Sequence, residues 1–280
     1  MMKTISDISK LQHISSELHK KNKTIGFIPT MGALHKGHLK LVTESKKKND
    51  ITVVSIFVNP AQFSQNEDLT KYPRPIQNDK RLLKAEGVDY LFHPNVKIMY
   101  PNGFRTSVST TNISNILEGK SRPGHFAGMA TIVLKLFNIV KPTRAYFGQK
   151  DFQQTVVVKQ MVKDFNLPII IDVVSTVRDT DGLALSSRNI FLNDRERSQA
   201  LSLHQSLLLA KELILKGNKN VQVIKTKIRD FLKNYGLVRL DYVEICDAKN
   251  LSFLKTVPDK AVILIAANVG KTRLIDNIII

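Results

Sequence analysis

Two kinds of pattern alternate along the chain. Short runs of apolar and β-branched residues lie at positions 24–28, 51–58, 89–92, 145–147 and 169–174. Between them come helical spacings: Ile8, Leu11, Ile14 and Leu18 within residues 1–20, Leu39, Leu41 and Val42 after the first run, then 79–87, 130–140 and 152–165. Continuous apolar runs suit strands buried on both faces, and strands separated by helix-length segments predict a doubly wound parallel sheet. After residue 176 the pattern changes. Helical stretches at 194–216 and 221–235 stop at Gly217 and Gly236, and extended runs follow at 240–245 and 261–267 before an apolar tail. The fold class expected is α/β, with the sheet domain over residues 1–176 and a smaller α+β domain over 177–280.

Composition narrows the class of protein. A chain of 280 residues, 42% hydrophobic and 24% charged, is ordinary globular material with room for one large domain and a small one. The single cysteine, Cys246, excludes an intrachain disulfide framework and a Cys-rich zinc site; its place in an extended run predicts a buried thiol. The longest apolar run, 261–267, is too short to span a bilayer, and the N-terminus lacks the apolar stretch of a secretory signal. A cytoplasmic protein with no membrane partner is expected. A net charge of +18 raises the possibility of nucleic-acid binding. Yet the lysines are scattered, and Lys46, Lys47 and Lys48 fall where a helix C-terminus favours cations. No aromatic-interleaved basic ribbon occurs, so no nucleic-acid partner is expected.

The chemistry concentrates in Pro29-Thr30-Met31-Gly32-Ala33-Leu34-His35-Lys36-Gly37-His38, between a predicted strand and a predicted helix. In an open α/β sheet that edge is where ligands bind, and a helix N-terminus there offers unpaired N–H groups to phosphate. Gly32 and Gly37 permit close backbone approach, and imidazoles three residues apart project from nearly the same face. A metal pair is the competing reading of His35 and His38, but no third ligand stands nearby in sequence. Gly148, Gln149, Lys150 and Asp151 follow another predicted strand and so share the ligand edge. Ser186, Ser187 and Arg188 put two hydroxyls and a forked guanidinium in one polar loop, a set suited to phosphate oxygens. Gln62, in Asn59-Pro60-Ala61-Gln62-Phe63, supplies an amide able to donate to and accept from a hydroxy acid. Asp79 could help hold Mg²⁺ or serve as a dipole partner at a helix N-terminus, and the two readings are equally open. Gly270-Lys271-Thr272 imitates the end of a P-loop, but Ile265 stands where that motif needs glycine.

The ten-residue motif resembles the His-x-Gly-His signature of the nucleotidyltransferase superfamily, and in its full form the pantoate–β-alanine ligase (pantothenate synthetase) family. Phe147-Gly148 through Lys150-Asp151 to Gln154, Val177-Arg178 through Asp181-Gly182 to Ser186-Ser187-Arg188-Asn189, Arg122-Pro123-Gly124-His125-Phe126 and Gly270 through Asn277 extend the likeness over nearly the whole chain. The resemblance implies a Rossmann-like first domain, a second domain acting as a lid, and ATP-dependent joining of pantoate to β-alanine through a pantoyl adenylate. It implies that ATP is bound by Met31, Gly32, Ala33, Leu34, His35, Lys36, Gly37 and His38, by Gly148, Gln149, Lys150 and Asp151, and by Val177, Leu185, Ser186, Ser187 and Arg188. His35, His38, Lys150 and Arg188 are the catalytic candidates, and Gln62 and Gln154 are expected to hold pantoate, with β-alanine arriving near Gln62. The loop at Arg122 to Phe126 is expected to order over the site. Mg²⁺ and a homodimer are implied in the same way. Pro75, Leu185 and Asn268 depart from the family pattern without removing a phosphate donor. The alternative is another superfamily nucleotidyltransferase, leaving AMP or CMP on a phosphorylated acceptor.

Overall fold

Residues 2–63 and 69–280 are described in a computed structural model of the chain. They divide into two units, Met1–Gly148 with Gln153–Ser175, and Gln149–Phe152 with Thr176–Ile280. The first unit comprises β1 (Lys3–Ile5), α1 (Ile8–Lys20), β2 (Ile25–Thr30), α2 (Lys36–Lys48), β3 (Ile51–Ile56), α3 (Ile76–Ala85), β4 (Tyr90–Phe92), α4 (Val96–Met99), α5 (Glu118–Ser121), α6 (His125–Val140), β5 (Arg144–Gly148), α7 (Phe152–Asp164) and β6 (Ile170–Val174). Its six strands pair in parallel in the order β1-β4-β3-β2-β5-β6. The order reverses beside β2, so the loops leaving β2, β3 and β5 surround a topological switch point.

Both faces of this sheet are buried, which is why its strands read as continuous apolar runs. Phe27, Val53, Phe92, Ala145 and Phe147 face a core shared with α1, α6 and α7, through Leu11, Phe137 and Met161. Ile28, Val54, Ile56, Leu91 and Tyr146 face a second core with Leu41 and Val42 of α2 and Leu83 of α3. The doubly wound sheet expected from the sequence is therefore the observed one.

Several element boundaries differ from the sequence reading. Residues 1–20 are not one helix: Asp7 caps α1 by accepting from the Lys10 N–H (2.7 Å), and the residues before it form β1, paired with β4. Helix α3 starts at Ile76, after Pro75, rather than at Asp79. Helix α6 starts at His125, behind a left-handed Gly124.

The second unit contains α8 (Asp194–Leu215), α9 (Val221–Leu232), and an antiparallel sheet of β7 (Val238–Asp247), β8 (Ala261–Val269) and β9 (Thr272–Ile279) in that order. Asn193 and Glu196 form a capping box at the start of α8, and Asn220 caps α9. Helix α9 ends at Leu232 rather than at Tyr235, whose N–H turns back to the Leu232 carbonyl (3.1 Å). The apolar tail is β9, paired along its length with β8. Leu203, Leu207, Ile224 and Ile228 pack on Ile245, Ile263 and Ile265. Cys246 is fully buried, and desolvation pushes its thiol up to about 12, in keeping with a packing role. Gln149–Phe152, which the sequence reading put in the first domain, joins the second unit because Asn277 of β9 binds its backbone. Among the described residues no helix is long and apolar enough to cross a membrane.

Candidate active site

Strand β2 delivers the chain to the carboxyl edge of the parallel sheet at Thr30. The Thr30 hydroxyl donates to the Ser55 carbonyl (2.8 Å) and accepts from the Gly32 N–H (3.2 Å). Two consecutive left-handed residues follow, Gly32 (φ +85°) and Ala33 (φ +51°). Glycine adopts that region readily, whereas alanine needs its surroundings to hold it there. The hold is Asp79, which reaches in from α3 and accepts from the Ala33 N–H (2.9 Å) and the Leu34 N–H (2.8 Å). Asp79 is 1% exposed, so these two bonds satisfy a carboxylate that would otherwise be costly to bury.

Next, His35 and His38 cap α2 reciprocally. His35 Nδ1 accepts from the Gly37 N–H (3.1 Å), and His38 Nδ1 accepts from the His35 N–H (3.4 Å). The ring centroids lie 4.1 Å apart. A neutral imidazole carries one proton, so a ring accepting at Nδ1 carries it on Nε2. Both histidines thus present Nε2–H as a donor at the N-terminus of a thirteen-residue helix, whose dipole also favours an anion.

Strand β3 ends at a second polar loop. Pro60–Gln62 is a single 3₁₀ turn capped by Asn59, and the network around it fixes the orientation of the Gln62 amide. Burial pushes the Tyr100 phenol up to about 12, so it donates, and it does so to Asn59 Oδ1 (2.7 Å). Asn59 Nδ2 then donates to Gln62 Oε1 (3.0 Å) and to the Gly128 carbonyl (3.0 Å). Gln62 is left with Nε2 directed at Met31 Sδ (3.0 Å), toward the β2 loop. His125 supports the same turn from α6. A carbonyl can only accept and a guanidinium can only donate, so His125 donates from Nδ1 to Gln62 O (2.7 Å) and accepts at Nε2 from Arg122 (3.0 Å).

Helix α6 meets this turn at Gly128, where a Cβ would lie 2.0 Å from the Ala61 carbonyl oxygen. Replacing Gly128 with alanine is expected to displace the Gln62 turn, destabilise the protein by about 1–3 kcal/mol and raise KM for pantoate, which Gln62 is expected to hold. Urea denaturation and steady-state kinetics check both, and an unchanged KM would show that Gln62 does not set that affinity.

In the second unit, residues 177–185 form a small hairpin. The Leu185 N–H donates to the Val177 carbonyl (3.0 Å) and the Asp179 N–H to the Leu183 carbonyl (2.9 Å), with Arg178 bridged to Ala184. Val177 and Leu185 are therefore paired neighbours. Arg197 of α8 holds the hairpin's acidic tip through Asp179 (2.8 Å) and Asp181 (2.7 Å). Beyond it, Ser186 caps a 3₁₀ turn, Ser187–Phe191, its hydroxyl accepting from the Arg188 N–H (3.2 Å). Lys150 lies in another 3₁₀ turn, Gln149–Asp151, with its ammonium 3.5 Å from Asp151. At Gly148, the last residue of the first unit's Met1–Gly148 segment, a Cβ would meet nothing within 4 Å.

The family model for pantoate-beta-alanine ligase matches residues 3–279. The chain belongs to the pantoate-beta-alanine ligase family. Pantothenate synthetases of Thermosipho africanus and Caldicellulosiruptor bescii are 53% and 51% identical to this ligase, each over 279 residues, covering 100% of the chain and 100% and 99% of those relatives. The crystal structure of the Thermus thermophilus pantothenate synthetase superposes with a TM-score of 0.93 at 41% identity, covering 99% of both chains. That of the Francisella tularensis ligase, complexed with beta-gamma ATP and β-alanine, superposes with a TM-score of 0.81 at 39% identity, covering 100% of this chain and 98% of that one.

In this ligase the sequence-derived candidates fall into two groups. Met31, Gly32, Ala33, Leu34, His35, Lys36, Gly37, His38 and Gln62 gather at the β2 and β3 loops, and Gln149, Lys150, Asp151, Val177, Leu185, Ser186, Ser187 and Arg188 lie in the second unit. Gln154 is half-buried in the first turn of α7, and its side chain makes no hydrogen bond among the described residues; its neighbour Gln153 is the buried, structural one, bound to Glu118, Ile113 and Ile116. Asp79 stands in the first turn of α3, as the dipole reading has it, and takes a further role that the sequence did not show: both of its carboxylate oxygens accept from the β2 loop. The Arg122 to Phe126 segment is not a free loop; its second half starts α6 and braces Gln62. Asn59, His125, Arg178, Asp276 and Asn277 lie in segments that the sequence singled out, but their supporting roles were not legible there, and Tyr100 gave no signal at all.

Proposed function

We propose that this ligase condenses pantoate with β-alanine in two steps, cleaving ATP to AMP and pyrophosphate. The observation that carries the reading is the pair of Nε2–H donors at the start of α2, on the switch-point edge of a parallel sheet, in a chain of this family. In the first step a carboxylate oxygen of pantoate attacks the α-phosphorus of ATP and the bond to the bridging oxygen of pyrophosphate breaks. Negative charge grows on the phosphate oxygens, where His35, His38, Lys150 and Arg188, with the Ser186 and Ser187 hydroxyls, are proposed to act. Gln62 offers its Nε2–H to pantoate, its Oε1 being taken by Asn59. Gln154 is proposed as the second amide for the same substrate. In the second step the amine of β-alanine attacks the acyl carbon, AMP departs with the electron pair of the anhydride oxygen, and the amine loses a proton.

Magnesium is proposed to enter as the MgATP complex, held by phosphate oxygens and water. Among the described residues no three His, Cys, Asp or Glu side chains cluster to hold a metal, which supports a substrate-borne ion over a protein cage. A homodimer is part of the same reading. The deciding experiment is ATP–pyrophosphate exchange. Exchange that requires pantoate but not β-alanine, with AMP and pantothenate formed only when β-alanine is added, is the expected result. Exchange that ignores pantoate would refute the reading.

A further inference from the structure

We infer that Asp276 and Asn277, consecutive residues of the edge strand β9, are positioning residues that hold the Lys150 turn and the 177–185 hairpin in one fixed relation. The inference rests on the reading above that Lys150 and Ser186, Ser187 and Arg188 serve the phosphates of ATP. Successive residues of a strand point to opposite faces, and β9 uses both. Asp276 lies on the face that carries the core residue Leu274 and receives Arg178 in a bidentate pair (2.7 and 2.9 Å). Arg178 stands between Val177 and the rest of the hairpin and also donates to the Gly182 carbonyl (3.2 Å), so the guanidinium ties the first arm of the hairpin to the turn at its tip and to the strand. His204 of α8 closes this side, with Nδ1 4.0 Å from the Asp276 carboxylate.

Asn277 lies on the other face with every polar group of its amide in use. Its Nδ2 donates to the Gln149 carbonyl (2.9 Å) and to the Lys150 carbonyl (2.9 Å), and its Oδ1 accepts from Gln149 Nε2 (3.1 Å). The two residues are themselves joined, because the Asn277 N–H donates to Asp276 Oδ1 (2.8 Å). Asp276 and Asn277 are 4% and 2% exposed. A buried polar pair on an apolar strand is retained against its desolvation cost only where its partners are fully matched, and here the partners are the Arg178 side chain of one loop and the backbone of another, both loops proposed to act on ATP. The strand sets the distance between a lysine and an arginine that are far apart in sequence, and a cation displaced by about an ångström can lose around a hundredfold in rate.

The test separates the two half-reactions. Pantoate-dependent ATP–pyrophosphate exchange reads adenylation, and β-alanine added with chemically prepared pantoyl adenylate reads the second step alone. Asn277→Ala is expected to lose roughly 100-fold in exchange, mainly in kcat, with KM for pantoate unchanged and the second step within about threefold. Asn277→Asp, of equal size, is expected to do no better, because two carbonyls there need N–H donors. Asp276→Asn, which keeps shape but releases Arg178, is expected to show the same split and serves if the Asn277 variants do not fold. Equal losses in both half-reactions, or exchange within about threefold of the unsubstituted protein in a folded variant, would overturn the inference. Lack of pantoate-dependent exchange in the unsubstituted protein would overturn the underlying reading instead, before any variant is made.

Discussion

His38→Asn is expected to leave the protein folded and to lower pantoate-dependent pyrophosphate exchange by about 10²–10³-fold. The asparagine carbonyl falls near the place of Nδ1, so the His35 N–H keeps an acceptor and α2 keeps its cap. What disappears is the Nε2–H, the donor proposed to meet charge as it forms on the phosphate. Stability should therefore change by no more than about 1 kcal/mol while adenylation collapses. His38→Ala removes both functions and should lose stability as well as rate. Urea denaturation beside the exchange assay distinguishes these cases, and an asparagine variant as active as the unsubstituted protein would refute the role given to Nε2.

Asp79→Ala carries the second large effect, of a different kind. It leaves the Ala33 and Leu34 N–H groups without their acceptor in a site shielded from water, at an expected cost of roughly 2–4 kcal/mol. Ala33 would then have no reason to stay left-handed, and the loop that aims His35 and His38 would relax, with a fall in exchange of about 100-fold. A metal-ligand role for Asp79 predicts a raised Mg²⁺ concentration at half-maximal rate. A loop-holding role predicts an unchanged one with a lowered unfolding midpoint. Asp79→Asn sharpens the contrast, since one amide oxygen can serve only one of the two N–H groups while its own N–H faces the other.

The parallel sheet was legible because Ile51 to Ile56 and the runs like it carry their burial in composition alone. Strand β1 was not, since three residues show no period and their partner β4 lies far along the chain. Strand β9 read only as an apolar tail, because its pairing with β8 and the partners of Asp276 and Asn277, namely Arg178 and the backbone of Gln149 and Lys150, are fixed by the fold. In the site, the groups expected to meet ligand were legible because motifs concentrate them. The groups that hold them were not. Asp79 was noticed, but its partners Ala33 and Leu34 are backbone atoms, which no pattern of side chains reveals. Tyr100 and His125 act through hydrogen bonds to Asn59 and to a main-chain carbonyl, and such bonds depend on the fold rather than on spacing.

The left-handed turn at Gly32 and Ala33 bears on when order is acquired. Its residues lose their conformational freedom as the chain folds, because Asp79 and Thr30 fix them before any ligand arrives. Binding then need not organise this turn, so the entropy of ordering it is absent from the affinity. A ligand that meets this turn is expected to dock on it rather than fold it, and the turn should show the same backbone with nucleotide bound as without.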